Sequence, residues 1–444
     1  MHAFLSYIVI LLSLLMFVVK REHKICILLI YLLCLNGVYA PTLKGVLLPQ
    51  VFFFLSEIRY FKQYVNIIKG TRFKYPLVIL LVGIVILWIN SPHMTGPSGL
   101  FALFSYDFIR KYGIFFFVFI ACLGCKNQKA IIKVTFIYLL VLTSFGILNL
   151  LTKHAIYVDW VLAGLDADSV MGDAGSKFTY EDRFRVQAMF ANPFDYGYFC
   201  LTLLLYYWYL LKGKLIKKNL FYVASICCLF GIFTCGCRTI LACSIVGFLI
   251  FVLFGYNLKS KLKLSLASLF LIFTVTLMMP DNVNKQINFL TSAFTDDPNV
   301  GGSSLSMRQT QTAAVMYYIQ DNMAFGRGYG FFVNDLGYGG GRSEIVDKDL
   351  FGLEGVYMSL LLERGIVGLV LYVLFWLSII WITLNIAKKT KDRRTLAICL
   401  SVIASYLAFA NMTGELSSVP ITLSIIGLCL AWSHRESNIS LNQK

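Results

Sequence analysis

Arginines that could bind an anion stand in the polar connections between long apolar blocks of this sequence. They are Arg183, Arg185, Arg238, Arg308, Arg327 and Arg342. A guanidinium stays protonated at any relevant pH, and its planar fork can bind a phosphate through two hydrogen bonds. Arg238 separates two apolar runs where a helical hairpin needs no charge. Its alternative role is an interfacial arginine that reaches toward lipid headgroups. If Arg238 has a functional role, its guanidinium is a fixed positive charge that binds an anionic lipid-linked substrate.

Carboxylates near the C-terminal apolar blocks could accept a proton from a sugar hydroxyl. Glu354 stands in L-E-G-V-Y, just before the chain re-enters apolar sequence. A carboxylate at the mouth of a low-dielectric cavity can have a raised pKa and act as a general base. Other acids lie nearby: Glu344, Asp347, Asp349 and Glu363. The alternative is that the first three are solvated loop residues and that Glu363 forms an interfacial ion pair with Arg364.

Histidines give no reason to expect a metal. His2, His93 and His154 are far apart in the sequence and form no cluster with metal-ligand spacing. We therefore expect no metal site, and no other cofactor motif is present.

The composition indicates the elements that must position these residues. Of the 444 residues, 58% are hydrophobic and 14% are charged, whereas about a quarter of a soluble domain is charged. Apolar runs of roughly 16–25 residues alternate with short basic clusters, which is typical of a polytopic helical membrane protein. We predict an all-α integral membrane fold with about thirteen transmembrane helices, twelve to fourteen in range. The predicted spans are 2–19, 25–41, 46–61, 75–91, 99–124, 131–152, 195–211, 219–236, 239–257, 264–280, 365–386, 395–411 and 417–434.

The fifth span is unusual because Asp107, Arg110 and Lys111 interrupt it. A charge at the bilayer centre costs about 2.5–3.5 kcal/mol. We therefore expect 99–109 to be an interfacial or re-entrant piece, with Arg110 and Lys111 near the outer surface.

Basic clusters fix the orientation. They are Lys20-Arg21, Lys69 to Lys74, Lys212 to Lys218, Lys259 to Lys263 and Lys388 to Arg394. Cytoplasmic loops of membrane proteins carry such an excess, so the net charge of +16 reports orientation and not nucleic-acid binding. The connections 153–194, 236–238 and 281–364 are then exported.

The chain divides accordingly into four segments. Residues 1–152 hold the N-terminal transmembrane helices, and 153–280 hold an exported loop plus the central helices with Arg185 and Arg238. Residues 281–364 form a large exported loop, and 365–444 hold the C-terminal helices and an inner tail. Within the large loop, Ser303 and Ser304 are predicted to cap a short helix over 305–321.

Four motifs resemble those of the O-antigen polymerase/O-antigen ligase superfamily. R-V-Q-A-M-F-A-N-P, from Arg185 to Pro193, resembles R-x-x-G-x-F-x-N-P, with Ala188 in place of the glycine. C-R-T at 237–239 is similar to the family's S-R-G turn. Arg308, followed by D-N-M-A-F-G-R-G-Y-G at 321–330, is similar to R…P-x-x-G-x-G. L-L-E-R-G-I-V-G at 361–368 matches E-x-G-I-x-G. The resemblance covers about 185–370.

The resemblance implies a metal-independent integral-membrane glycosyltransferase without a cofactor. Such enzymes transfer a glycan from undecaprenyl pyrophosphate to a hydroxyl of an acceptor sugar. Cationic side chains can stabilise the charge that develops on the departing pyrophosphate. The resemblance nominates Arg185, Arg238 and Arg308 as the pyrophosphate-binding set. Arg327, Arg110 and Asn192 are additional candidates.

One departure separates the branches of the superfamily. The ligase branch would have its catalytic histidine, followed by asparagine, where this sequence has Glu354-Gly355. This favours the polymerase branch, which joins repeat units into O-antigen, capsular or exopolysaccharide, with Glu354 as the candidate base. The alternative is a ligase that transfers finished glycan to lipid A or another acceptor. An alternative of another class is a lipid-linked glycan transporter or flippase, although the paired repeats of transporters are not evident.

The expected setting follows from the same resemblance. The protein would lie in the bacterial inner membrane, with its active site facing the periplasm. Its partners would be the lipid-linked donor and acceptor, membrane lipids, a chain-length regulator and a flippase, but no nucleic acid.

Overall fold

Helices make up nearly all of the described structure, in agreement with the predicted all-α class. The computed structural model describes residues 2–32, 42–43, 46–70, 72–125, 128–157, 159, 179–180, 183–190, 192–263, 305–337, 346–350, 353, 355–413 and 418–441. The helices of the N-terminal half are α1 His2–Leu15, α2 Arg21–Ile30, α3 Leu48–Glu57, α4 Phe61–Gly70, α5 Lys74–Ile89, α6 Gly96–Leu103, α7 Ile114–Leu123 and α8 Lys129–Thr152. Those that follow are α9 Pro193–Lys212, α10 Lys218–Thr234, α11 Arg238–Gly255, α12 Leu305–Ile319, α13 Phe331–Asn334, α14 Val356–Thr390, α15 Arg393–Thr413 and α16 Ser418–Leu441.

Extended structure in the described residues consists of two small hairpins that the sequence did not predict. Strand β1, Thr42–Leu43, pairs antiparallel with β2, Val46–Leu47. Strand β3, Thr179–Tyr180, pairs in the same way with β4, Arg183–Phe184. Each strand has two residues, so the hairpins shape connections and form no layer of the fold.

Four described helices are long and apolar enough to cross a membrane, namely α8, α11, α14 and α15. A fifth crossing is obtained if Pro49–Lys69 and Lys74–Ile89, which meet at 105°, count as one bent span. The predicted number of thirteen is therefore not confirmed by the described residues. The predicted span 264–280 lies outside them.

The centre of the protein is formed by helices that are apolar on all sides. Every residue of α7 from Ile114 to Cys122 is buried, and α9 is buried along almost its whole length. A helix without a polar face can be buried on all sides. By contrast, α14 exposes a stripe of apolar side chains with helical spacing: Ile366, Val370, Val373, Leu377, Trp381 and Leu384. This stripe is suited to contact with lipid.

Small residues bring α11 and α15 together in antiparallel orientation. The Ser405 hydroxyl donates to the Cys243 carbonyl at 3.3 Å. A Cβ at Gly255 would lie 3.2 Å from the Cβ of Ala397. Cys243 precedes Gly255 in α11, whereas Ser405 follows Ala397 in α15. The start of α11 therefore lies level with the end of α15. Close approach of backbones through small residues is usual in membrane helix pairs.

Helices α5 and α14 are antiparallel in the same way. Gly83 lies against Leu371, and the rings of Tyr75 and Trp381 have centroids 5.4 Å apart. The bundle therefore has two distinct ends. We call the end with Asn90, Arg238 and Met412 the arginine end. The end with Lys74, Gly255 and Lys389 is the lysine end.

The interrupted segment at 99–109 leads into an irregular helix. A π-helix, Phe104–Tyr112, follows α6 and buries Asp107 completely. The Arg364 guanidinium lies 2.8 Å from the Asp107 carboxylate. A buried charge is tolerated when a partner neutralises it, so Asp107 can lie inside the protein. The prediction of an interfacial or re-entrant piece stays a prediction. Arg110 and Lys111 are half-buried.

Candidate functional site

Arg185 lies against the turn between α10 and α11, directly before Arg238. The turn consists of residues 235–237, and Gly236 has a φ of +63°. A Cβ at Gly236 would lie 3.2 Å from Cγ of Arg185. The Val186 N–H donates to the Thr234 carbonyl at 3.0 Å. The segment that carries Arg185 is thus fixed across the turn that begins the helix of Arg238.

Arg238 is the first residue of α11. The first N–H groups of a helix have no partner within the helix, and the helix dipole makes this end positive. Within the described residues, the N-cap Cys237 makes no side-chain capping bond. An anion at this turn would therefore meet backbone N–H groups together with guanidinium groups, which is a favourable arrangement for phosphate.

Arg308 lies at the same end of the bundle. It belongs to α12, and its Nη2 donates to the Met412 carbonyl at 3.1 Å. Met412 is in the last turn of α15, level with the start of α11. This bond fixes the side chain through one of its five N–H donors. The structure thus brings Arg185, Arg238 and Arg308 to the arginine end from three separate parts of the chain.

The candidate base Glu354 lies outside the described residues, but the residue after it is described. Gly355 has a φ of +94°, and a Cβ there would lie 2.8 Å from the Asn411 carbonyl oxygen. Only glycine fits such a conformation and such a close approach. The chain therefore passes the last turn of α15 beside Met412, the residue that Arg308 contacts.

The three additional candidates have local contacts. Asn192 caps α9, because its Oδ1 accepts from the Asp195 N–H at 2.7 Å. Arg327 forms an ion pair with Asp321 at 3.1 Å and donates through Nε to the Tyr318 carbonyl. The Arg110 guanidinium lies 5.2 Å from the centre of the Tyr106 ring. These contacts give each of the three residues a structural role.

The remaining polar residues that the sequence analysis singled out have local contacts or lie outside the described residues. Asp347 accepts the N–H of Asp349 at 2.8 Å, which is a local turn contact. His93 pairs with Asp335 at 2.7 Å on the surface. Glu344 and Arg342 lie outside the described residues, as do the predicted capping serines Ser303 and Ser304. The helix that they precede is present, as Leu305–Ile319.

The third and fourth motifs bind each other through their backbones. The N–H groups of Arg327 and Gly328 donate to the carbonyls of Leu362 and Glu363 at 2.8 and 2.9 Å. In return, Ile366 and Val367 donate to Met323 and Ala324, both at 3.0 Å. We call residues 322–330 the docking segment. It lies along the first turns of α14.

A break in α14 makes this pairing possible. The helix begins at Val356, earlier than the predicted start at 365, and Gly365 inside it has a non-helical φ of 62° and ψ of −165°. A Cβ at Gly365 would lie 2.4 Å from the Ala324 carbonyl oxygen. At Gly326 a Cβ would lie 2.7 Å from the Gly365 nitrogen. The glycines of the two motifs are thus needed for contact between two backbones.

The docking segment also reaches the end of α5. A Cβ at Gly328 would lie 2.6 Å from the Asn90 carbonyl oxygen. The Tyr329 N–H donates to the Ser91 hydroxyl at 2.7 Å. The segment therefore joins α5 to α14 beside the arginines.

An ion pair beneath the docking segment was missed by sequence reasoning. Asp107 and Arg364 line a cavity of about 50 Å³ between α5 and α14. The Glu363 Oε1 accepts from the Gly330 N–H at 3.1 Å. The sequence signal that could have revealed this ion pair was an acid in one apolar run and an arginine in another, because ionisable residues within membrane segments usually pair with one another.

Comparison with known proteins supports the resemblance. Residues 223–373 match the family model described as O-antigen ligase. The match includes Arg238, Arg308, the docking segment and the break in α14, whereas Arg185 precedes it. The search of curated proteins gives no match. The family-model match points to glycan transfer of the ligase or polymerase type and to a lipid-linked glycan as substrate. The match over residues 223–373 supports the assignment of this chain to the O-antigen ligase/polymerase superfamily.

Proposed function

We propose that this protein polymerises undecaprenyl-pyrophosphate-linked oligosaccharide repeat units at the periplasmic face of the bacterial inner membrane. The product would be O-antigen, capsular polysaccharide or exopolysaccharide. The observation that carries the proposal is that Arg185, Arg238 and Arg308 lie at the same end of a bundle of apolar helices. A lipid-linked pyrophosphate could reach these cations from the outer leaflet while its hydrocarbon chain stays in the membrane.

In the proposed reaction an acceptor hydroxyl attacks the anomeric carbon of the donor sugar. The bond between this carbon and the pyrophosphate oxygen breaks, so negative charge develops on the leaving undecaprenyl pyrophosphate. The three arginines and the start of α11 stabilise this charge, because they are placed before the reaction begins. The hydroxyl proton passes to a base, for which Glu354 is the candidate. The energy comes from the donor bond, so no nucleotide is required.

The polymerase assignment rests on the residues before α14. Glu354-Gly355 stands where the ligase branch has histidine and asparagine, and Gly355 adopts a left-handed φ beside Asn411. A second candidate is favoured by the description of the matching family, which is O-antigen ligase. In that case finished glycan would pass to lipid A or another acceptor. A flippase for lipid-linked glycan is the third alternative.

The test is glycan synthesis by the purified protein in lipid vesicles from lipid-linked repeat units. A polymerase gives a ladder of chain lengths. We expect Arg238→Ala to lower the rate about 10²- to 10³-fold, as when a fixed donor for a developing anion is removed. Arg238→Lys should lower the rate of glycan synthesis less, because lysine keeps the positive charge although it lacks the bidentate fork. The yield and thermal stability of each variant are measured beside its rate.

Arg393→Ala is the matched control, because Arg393 contacts Asn257 at the lysine end. It should synthesise glycan at the wild-type rate. A full ladder from stably folded Arg238→Ala would rule out the proposed site. A single transfer to a different acceptor by the wild type would favour the ligase, and movement of lipid-linked units across the vesicle membrane without new linkages would favour the flippase.

A further inference from the structure

A large cavity lies at the lysine end, opposite the proposed active site. Its volume is about 380 Å³. Five parts of the fold line it: the end of α4, the segment from Arg72 to Tyr75 that leads into α5, the end of α7, the last turns of α14, and α16 with His434. Residues that are distant in the sequence therefore surround one space.

The rim of this cavity is cationic. Lys69, Arg72, Lys74 and Lys389 line it, and all four are exposed. Of the described residues around the cavity, none is a carboxylate. Nor does any of the four cations form an ion pair with a carboxylate in the described part of the chain. Within the described residues, no carboxylate neutralises the positive potential at the rim.

The floor of the cavity is apolar and firmly packed. Phe73 and Phe119 are each only 2% exposed, and their rings are stacked with centroids 4.3 Å apart. Ile386 completes the floor. A cavity with a cationic rim and an apolar floor fits an amphiphile whose anionic group stays at the rim.

The position of the rim indicates which amphiphile. Arg72 lies 4.2 Å from the centre of the Trp381 ring, and Trp381 is part of the exposed apolar stripe of α14. Tryptophan and arginine at the end of such a stripe are typical of the level of lipid headgroups. Orientation signals alone require basic residues at this end, but they do not require four of them to surround one cavity.

We propose that the lysine-end cavity binds the phosphate of an anionic membrane phospholipid. Basic pockets between transmembrane helices on the cytoplasmic side bind such headgroups in other proteins. The bound lipid would hold the corner between α4 and α5 against α14 and α16. This site is separate from the proposed glycan chemistry, and its test does not depend on that chemistry.

The experiment uses the full-length protein in a non-ionic detergent. Thermal unfolding and native mass spectrometry are measured with phosphatidylglycerol, with zwitterionic phosphatidylcholine and with inorganic phosphate. We expect phosphatidylglycerol to bind and to raise the melting temperature more than phosphatidylcholine does. The difference should shrink as salt rises, because salt screens exposed charges.

Variants locate the binding site. The double variant Arg72→Gln/Lys389→Gln should lose affinity for phosphatidylglycerol roughly 25-fold, which is about fivefold for each cation near a lipid phosphate. Lys62→Gln/Lys388→Gln removes the same charge, from α4 and from α14, but neither residue lines the cavity. This control should keep the wild-type affinity. If the first double variant does not fold, two other measurements show whether the rim charges bind phosphatidylglycerol. They are the affinity of Lys389→Gln alone and the salt titration of the wild type.

Two results would overturn the proposal. One is equal protection by phosphatidylglycerol and phosphatidylcholine. The other is an equal loss of affinity in the cavity variant and its control. Protection by inorganic phosphate at the level of phosphatidylglycerol would keep the phosphate site but overturn the assignment to a lipid.

Discussion

The two ends of the bundle reverse the chain by different means. At the lysine end, Lys214 and Lys391 adopt left-handed backbone conformations, each with a φ of 55°. At the arginine end, Ala188 takes such a conformation too, but so do glycines at which a Cβ would lie 2.4–2.7 Å from another backbone atom, namely Gly326, Gly328 and Gly365. Lysine is tolerated where the Cβ has space. Glycine is required where two backbones touch.

This difference separates a preorganised site from an adaptable one. The arginines next to the glycine turns are anchored by backbone contacts such as that of Arg308 with Met412. Cations that stabilise a transition state are most effective when they are already in place. The lysine-end cations are long, exposed side chains around an open cavity, and this arrangement suits binding of a headgroup.

The largest effect on the arginine end is expected from Arg364→Met. Removal of this guanidinium leaves the completely buried Asp107 without its charge partner. Loss of one partner of a buried pair costs about 3–5 kcal/mol. The free energy of unfolding, measured by denaturation in mixed micelles, should fall by this amount.

The double variant Asp107→Leu/Arg364→Met is its control. It removes both charges, so it should recover most of the lost stability. If the single variant were as stable as the wild type, the ion pair would not support the arginine end.

A smaller loss of stability is expected from Gly365→Ala. The new methyl group would meet the Ala324 carbonyl, and the backbone would be strained. We expect a loss of about 2–4 kcal/mol, since left-handed strain and overpacking each cost about 1–3 kcal/mol. Hydrogen exchange should increase at Arg327 and Gly328, whose N–H groups are held by the broken helix.

Gly96→Ala separates the two causes of this loss. Gly96 also has a positive φ, but no atom lies within 4 Å of its Cβ position. Gly96→Ala should lower the free energy of unfolding by about 1–2 kcal/mol, from the backbone conformation alone. Equal losses in the two variants would show that the contact with the docking segment contributes nothing.

The smallest effect is expected from Ala188→Gly. Ala188 is completely buried with a φ of 49°, at the motif position where the superfamily has glycine. Relief of strain of about 1–2 kcal/mol should offset the loss of a buried methyl of about 0.8 kcal/mol and the extra chain entropy of glycine. The stability should therefore change by less than about 0.5 kcal/mol.

Ala397→Gly provides the comparison. Ala397 is equally buried but lies within α15, where glycine costs about 1 kcal/mol in addition to the methyl. A loss at Ala188→Gly as large as at Ala397→Gly would mean that the left-handed turn carries no strain.

Uniform apolar runs made part of the fold predictable. The spans predicted at 131–152, 239–257 and 395–411 correspond to α8, α11 and α15 within two residues at each end, because every residue of such a run favours the same environment. The turn at Arg238 was located for the same reason.

Features that depend on distant partners were not predictable in this way. The early start of α14 depends on hydrogen bonds from the docking segment, and the burial of Asp107 depends on Arg364. No local pattern contains either partner. The motifs identified the glycines, but the reason for them is the contact between two backbones.

The break at Gly365 has a consequence for biogenesis. The carbonyls of Leu362 and Glu363, and the N–H groups of Ile366 and Val367, find their partners in the docking segment. An unpaired peptide group in lipid costs several kcal/mol, so the first turns of α14 cannot enter the hydrocarbon layer alone. The docking segment precedes α14 in the chain and is synthesised first. Folding of this segment must therefore be completed before the first turns of α14 can enter the hydrocarbon layer, so it sets the time at which this part of the bundle assembles.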